Sequence, residues 1–151
     1  MLFRSYLSWS LLKHTDIEHL TMVDQWLVNL DLGKETFKFL GPGFSGDTMR
    51  AVHQNAIAAV SPWPGRTTIM HMNSLDAAKQ IPNRSMDFVI IDASHEYAYV
   101  RDDIDAWYPK VRKGGWLLGD DCTVFFPGVV KAVDECFPLA VKVGPLWATR
   151  K

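Results

Sequence analysis

The sequence has few of the features that mark secreted, membrane-embedded or nucleic-acid-binding proteins. Its two cysteines, Cys122 and Cys136, are too few for a disulfide framework or a zinc site, which favours a reducing, cytoplasmic location. It has 16 basic and 17 acidic residues, and no basic tract favours nucleic acid or a membrane surface as a partner. The longest apolar runs have about six residues, far short of the ~20 that a membrane span needs.

The chain has enough hydrophobic residues to form the core of one compact domain. Of its 151 residues 48% are hydrophobic, and a chain of this size buries roughly 68–70% of its unfolded surface. We therefore expect a single domain over residues 1–151. The basic, apolar start, MLFRSYLSWSLLKH, is interpreted as a helix rather than a signal peptide, because Ser8 and Ser10 interrupt it and no cleavage site follows.

Helical and strand patterns alternate along the chain. This alternation predicts an α/β fold with a mostly parallel sheet and right-handed crossovers. Residues 31–46 hold four of the ten glycines and are predicted to be a loop, and the longer segment 27–46 is the expected contributor to an acceptor pocket. The predicted helices span 3–14, 46–60, 75–80, 97–111 and 127–135; the predicted strands span 19–26, 67–72, 86–92 and 115–121, with an antiparallel pair over 139–144 and 146–151.

Acidic residues stand at the ends of several predicted strands. Open parallel sheets bind ligands at the carboxyl ends of their strands, so Asp24, Asp92, Asp120 and Asp121 are expected to converge at one edge. Adjacent carboxylates repel each other unless they share a cation such as Mg²⁺ or one of them has a raised pKa. The alternative is that Asp120 and Asp121 only cap a loop.

Three further residues near these strand ends are candidates for a site. Asp24 has the position of a carboxylate that accepts hydrogen bonds from both ribose hydroxyls, or it is an ordinary surface residue before a loop. Trp26 is the tryptophan best placed to line a cofactor crevice, whereas Trp107 and Trp147 are expected in the core. His95, three residues after Asp92, is a candidate general base, or it bonds a backbone carbonyl in its loop.

The stretch DFVIIDASHEYAYVRDDIDAWYPKVRKGGWLLGDD, followed by PGVVKAVDE, resembles the class I S-adenosylmethionine-dependent methyltransferases, in particular methyltransferase family 24. The shared features are a strand ending in an IDxxH-like signature, a K-x-GG turn, a strand ending in an acidic pair, and PGVxxAV. The resemblance covers about residues 46–137, and the closing LWATRK is similar to the last strand of the family.

The resemblance implies a Rossmann-like, three-layer αβα methyltransferase sheet with an antiparallel C-terminal strand. It also implies O-methyl transfer to a small hydroxylated acceptor, with S-adenosylmethionine as cofactor and Mg²⁺ or a similar divalent cation assisting. The implied roles are metal binding for Asp92, Asp120 and Asp121; cofactor binding for Asp24, Gln25, Trp26, Asn73, Ser74, Leu75 and Asp92; and catalysis for His95 and Asp92.

One part of the family pattern is not found. The family opens with a strand and a glycine-rich loop whose backbone approaches the cofactor, whereas the first glycine here is Gly33, after Asp24. We therefore expect an N-terminally truncated version of the fold. Loss of a central strand would expose two strand edges, so a homo-oligomer or a rearranged N-terminus is also expected.

The sequence leaves two classes of function open. The chain is either an S-adenosylmethionine-dependent methyltransferase or a non-catalytic methyltransferase-like module for binding or assembly, and cofactor binding separates the two. A phosphoacceptor receiver domain is disfavoured because its acidic pair precedes the lone aspartate. A dinucleotide oxidoreductase is disfavoured because no G-x-G-x-x-G comes after a strand.

Overall fold

The structure, a computed structural model, describes residues 3–26 and 46–151. The predicted acceptor loop, 27–46, therefore lies outside the described residues except for its last one. The described helices are α1 (Phe3–His14), α2 (Gly46–Val60), α3 (Ser74–Gln80), α4 (Tyr97–Trp107) and α5 (Pro127–Cys136), and the strands are β1 (Leu20–Asp24), β2 (Thr67–His71), β3 (Met86–Ile91), β4 (Val111–Gly119), β5 (Val141–Val143) and β6 (Leu146–Arg150).

The described strands form two hydrogen-bonded sheets. In the first, β1 and β2 pair in parallel, with Asp24 opposite His71. The second has the order β3-β4-β6-β5, in which β3 and β4 are parallel and β6 is antiparallel to both of its neighbours. This confirms the predicted α/β class, with parallel pairing in each sheet and an antiparallel C-terminal strand. The predicted single sheet is divided because no described strand bonds to both β1 and β3.

The described residues form two compact units that divide after Ser74. The first unit packs around Trp26, Met49 and Ala56. The second unit has the larger core, in which α4 and α5 contribute Val100, Ile104, Val129 and Val133 against Leu117 of β4 and Trp147 of β6. Trp107 and Trp147 are buried, as predicted.

The predictions around Gly114-Gly115 were wrong in two respects, since the helix before them ends earlier and the strand starts earlier than the predicted residue 115. Helix α4 ends at Trp107 rather than at residue 111, because Pro109 has no backbone N–H and its ring obstructs a continuing helix. A short 3₁₀ turn, Tyr108–Lys110, leads directly into β4, which starts at Val111.

The two glycines serve β4 rather than a helix end. Gly114 has a φ of 79°, and a Cβ on Gly115 would lie 2.5 Å from the Asp87 carbonyl oxygen. Between Met86 and Phe88 the register with β4 shifts, so the glycines allow an irregular stretch of β4 to pass close to β3.

Within the two described stretches of chain, no helix is long and apolar enough to cross a membrane.

Candidate active site

The carboxyl ends of β3 and β4 form one side of a small pocket in the second unit. Ile91, the last residue of β3, is paired with Gly119, the last residue of β4, so Asp92 and Asp120 follow at the same edge. The backbone N–H of Asp120 donates to the Ile91 carbonyl at 3.3 Å, which extends the parallel pairing past the strand ends. The pocket is lined by Ile91, Asp92, Ala93, Ser94, His95, Val100, Asp120, Asp121, Val129 and Trp147.

The side chains of His95 and Asp121 lie within hydrogen-bond distance of each other in this pocket. His95 Nε2 lies 2.7 Å from Asp121 Oδ2, and both side chains are largely shielded, with exposures of 18% and 32%. The other ring nitrogen of His95, Nδ1, is buried, and among the described residues it has no hydrogen-bond partner. An unpaired buried nitrogen is costly, and such a group in a pocket is a candidate for contact with a bound molecule.

The acidic pair is held in a tight backbone arrangement. Asp121 has a φ of 60°, a left-handed conformation that aspartate tolerates better than most residues. Its N–H donates to Asp120 Oδ1 at 2.7 Å, so the two carboxylates have different roles. The Asp120 carboxylate accepts the backbone hydrogen bond of the turn, and the Asp121 carboxylate faces the imidazole of His95.

The start of α5 packs against the loop that contains His95, called the His95 loop below. A Cβ on Gly128 would lie 2.5 Å from the His95 carbonyl oxygen and 2.6 Å from the Tyr97 nitrogen, so only glycine permits this approach. The Phe126 ring lies 4.0 Å from the His95 ring, centroid to centroid, and tilted by 34°. Gly128 and Phe126 were not identified from the sequence. The sequence feature that could have identified them is the Pro127-Gly128 pair, which starts a helix directly after an apolar turn.

The donor chemistry of Asp92, Asp120 and Asp121 suits a hard cation, but their arrangement does not gather them around one. Among residues 3–26 and 46–151, no group of three or more His, Cys, Asp or Glu side chains is placed to hold a metal ion. Asp121 is paired with His95, and Asp120 accepts the hydrogen bond of the turn. The metal site stays a prediction.

A buried thiol, that of Cys122, belongs to the same core cluster as the pocket residues Ile91, Val129 and Trp147. Cys122 is 8% exposed, and burial raises the pKa of its thiol above the ordinary value of 9.0; the Lys142 ammonium partly offsets the effect. A buried thiol with a raised pKa is a poor nucleophile, so Cys122 contributes to packing rather than to catalysis.

The predicted ribose-binding residues lie in the first unit, at the carboxyl ends of β1 and β2. Asp24 ends β1, and its Oδ1 accepts the backbone N–H of Trp26 at 2.8 Å. This hydrogen bond closes a short turn in which Trp26 has a φ of 44°. Gln25, in the middle of the turn, has its carbonyl oxygen 2.7 Å from His71 Nε2.

Trp26 packs within a group of three rings. Its indole is 5% exposed and stacks on His53 with centroids 4.2 Å apart, while His71 meets it edge-on at 5.4 Å. His53 lies in α2 and His71 in β2, and neither is among the site residues predicted from the sequence. The β1–β2 register places His71 opposite Asp24, two residues before Trp26, and helix α2 places His53 against the indole. The predicted cofactor contact of Trp26 stays a prediction.

The polar turn predicted beside the adenine comes after β2. Asn73 links β2 to α3, and Ser74 is the first residue of that helix, with Leu75 next. The N–H of Met72 donates to the Asp24 carbonyl at 3.1 Å, so the turn starts beside the end of β1. The structure thus brings Asp24, Gln25 and Trp26 to the edge where this turn begins. It brings Asp92, His95, Asp120 and Asp121 together in the second unit.

Comparison with known proteins identifies the fold. Residues 5–122 match methyltransferase family 24, described as Methyltransferase domain. A search of the curated proteins gave no match. Among solved structures, the chain is similar to the O-methyltransferase NovP, with a TM-score of 0.57 and 17% identity over 97% of this chain and 66% of that one.

A protein from Corynebacterium glutamicum is also similar, with a TM-score of 0.56 and 19% identity over 68% of this chain and 56% of that one. The chain thus spans 56% and 66% of the lengths of these two structures. At such identities the two structures establish the fold, and the family match covers well over half of the chain. The chain therefore belongs to methyltransferase family 24, within the class I S-adenosylmethionine-dependent methyltransferases.

Proposed function

We propose that this chain transfers a methyl group from S-adenosylmethionine to a hydroxyl of a small acceptor. The observation that carries the proposal is the pocket at the ends of β3 and β4, where the His95–Asp121 pair adjoins Asp92 and Asp120. Family membership supports S-adenosylmethionine as the cofactor. The similarity to an O-methyltransferase structure supports oxygen as the accepting atom.

In this proposal the acceptor oxygen attacks the methyl carbon in line with the carbon–sulfur bond. The bond to sulfur breaks, its electron pair stays on sulfur, and the positively charged sulfonium becomes the neutral thioether of S-adenosylhomocysteine. The hydroxyl proton must leave the acceptor during or before the attack. Most of the catalytic power comes from holding the two reactants at attack distance, because the sulfonium is already a reactive methyl donor.

His95 is the proposed acceptor of that proton. If the Nε2–H of the neutral ring donates to Asp121, the lone pair lies on Nδ1, the nitrogen without a partner among the described residues. Asp121 then fixes the tautomer and stabilises the imidazolium that forms. The Phe126 ring covers part of the imidazole and limits its access to water.

Asp24 is proposed to bind the cofactor ribose, with Gln25 and Trp26 beside it and Asn73, Ser74 and Leu75 near the adenine. Asp24 ends a parallel strand, where a carboxylate is well placed to accept hydrogen bonds from vicinal hydroxyls. One of its oxygens accepts the Trp26 N–H, which orients the carboxylate before any ligand binds.

A divalent cation is a further proposal that requires a rearrangement. Its oxygen donors would be Asp92, Asp120 and Asp121, and it would compete with His95 for Asp121. The methyl-transfer steps above do not run through it. Comparison of turnover in Mg²⁺ with turnover in a chelator tests the cation, and equal rates would remove it from the proposal.

The deciding experiment is calorimetric titration of S-adenosylmethionine and S-adenosylhomocysteine into the chain and its Asp24→Ala variant. We expect micromolar binding that falls at least tenfold in the variant. His95→Gln is the second variant, and it should keep cofactor affinity while losing most of the turnover. Absence of binding to the unsubstituted chain at high protein concentration would contradict the enzyme hypothesis and favour the non-catalytic module.

A small hydroxylated acceptor, self-association and a cytoplasmic location complete the proposal. Self-association is supported by the outer strand β5, where Val141 and Val143 are 59% and 69% exposed. Such an apolar edge strand offers free backbone groups to a second copy. Light scattering coupled to size-exclusion chromatography measures this, and a monomer at all concentrations would contradict it.

A further inference from the structure

The turn after the acidic pair carries two large apolar side chains into solvent. Val124 is 88% exposed and Phe125 is 72% exposed. They occupy the two central positions of a β-turn in which the N–H of Phe126 donates to the Thr123 carbonyl at 3.0 Å. Central turn positions usually hold Gly, Pro, Asn, Asp or Ser, so the turn conformation does not explain these two residues.

The turn is fixed to the pocket at both of its ends. On one side, the N–H of Thr123 donates to the Asp121 carbonyl at 2.8 Å. On the other side, the Phe126 ring lies against the His95 ring. Inside the turn, the N–H of Phe125 donates to Thr123 Oγ1 at 3.3 Å. The turn that carries the two exposed side chains is therefore held beside the His95–Asp121 pair, and Val124 and Phe125 themselves stand outside the pocket lining.

The segment around this turn offers no charge to a ligand. Residues 122–130 contain no acidic, basic or histidine side chain. A polyol or a phosphorylated acceptor would need hydrogen-bond or ionic partners that the two tip residues do not provide. An apolar group, in contrast, gains by leaving water against valine and phenylalanine, and an aromatic ring gains further from stacking on Phe125.

We propose that Val124 and Phe125 form an apolar wall for the methyl acceptor, which is then a hydroxylated molecule with an apolar ring or chain beside the reacting hydroxyl. The inference rests on the proposed function and narrows its acceptor class. An alkyl-substituted phenol satisfies it. The phenol oxygen takes the methyl group, S-adenosylhomocysteine leaves, and the phenol proton passes to His95.

The test compares two acceptors that differ in polarity, 4-butylphenol and methyl glucoside, with release of S-adenosylhomocysteine as the readout. For the unsubstituted chain, kcat/KM should be at least about tenfold higher for 4-butylphenol. Phe125→Ser and Val124→Ser should each lower that value about tenfold, mainly through KM, and leave methyl glucoside unaffected. Leu139→Ser is the matched control, because Leu139 is 96% exposed in the same unit but does not belong to the turn beside His95 and Asp121.

Binding of 4-butylphenol in the presence of S-adenosylhomocysteine is measured separately from turnover. Binding that is lost in Phe125→Ser, with no turnover of either acceptor, would support the apolar wall and contradict the proposed methyl transfer. Turnover of methyl glucoside alone, unchanged in both tip variants, would overturn the wall and leave methyl transfer standing. A change of oligomeric state in the tip variants, with no change in phenol binding, would instead assign the tip to contact with a second copy.

Discussion

The substitution Gly128→Ala tests whether α5 closes on the His95 loop as the structure has it. A Cβ at this position would lie 2.5 Å from the His95 carbonyl oxygen and 2.6 Å from the Tyr97 nitrogen, whereas ordinary contact begins at 3.4 Å. Both neighbours are backbone atoms, so neither can rotate away. The helix or the loop must therefore move by roughly 0.9 Å, or stay in strain.

The sign of the stability change makes this prediction decisive. Replacing glycine by alanine inside a helix normally stabilises it by about 1 kcal/mol. Overpacking of a well-packed site costs about 1–3 kcal/mol, and a contact between backbone atoms belongs at the upper end. We therefore expect a net loss of about 1–2 kcal/mol in the free energy of unfolding. The proposed methyl transfer should also slow, because His95 would be displaced.

Urea unfolding monitored by far-UV circular dichroism measures the effect. A loss of this size lowers the urea midpoint by roughly 0.5–1 M for a typical small protein. Gly65→Ala is the control, because a Cβ there would meet nothing within 4 Å, and its free energy of unfolding should change by less than about 0.5 kcal/mol. A Gly128→Ala variant as stable as the unsubstituted chain would refute the close approach of α5 to the His95 loop.

Two further predictions concern the same unit. Gly119→Ala should lower the free energy of unfolding by about 2–3 kcal/mol, because its Cβ would overlap the buried indole of Trp147; a urea midpoint like that of Gly65→Ala would contradict this packing. Burial raises the pKa of the Cys122 thiol, so less of it is thiolate at pH 8 than in the unfolded chain. Its alkylation by iodoacetamide, quantified by peptide mass spectrometry, should be slower than in urea and should accelerate as the pH rises; equal rates would contradict the burial.

Local sequence patterns were enough to place most of the helices and strands. The strand predicted over 86–92 forms over Met86–Ile91, and Asp92 follows its last residue as expected. The error at residues 107–115 arose because a proline and two glycines interrupt regular structure without specifying the next element of the chain. Gly114-Gly115 is compatible with a helix end, but the pairing of β4 with β3 places it inside a strand.

The candidate site was likewise predictable from the sequence only in part. The identities of Asp92, His95, Asp120 and Asp121, and their position at strand ends, were determined by the sequence alone, since periodicity and strand-end position are local properties. Only the tertiary structure decided three contacts. Asp121 pairs with His95, the Asp120 carboxylate accepts a backbone hydrogen bond in its turn, and His53 stacks on Trp26. These contacts depend on strand register and on the approach of α5 permitted by Gly128, which join residues far apart in the chain and leave no periodic signal in it.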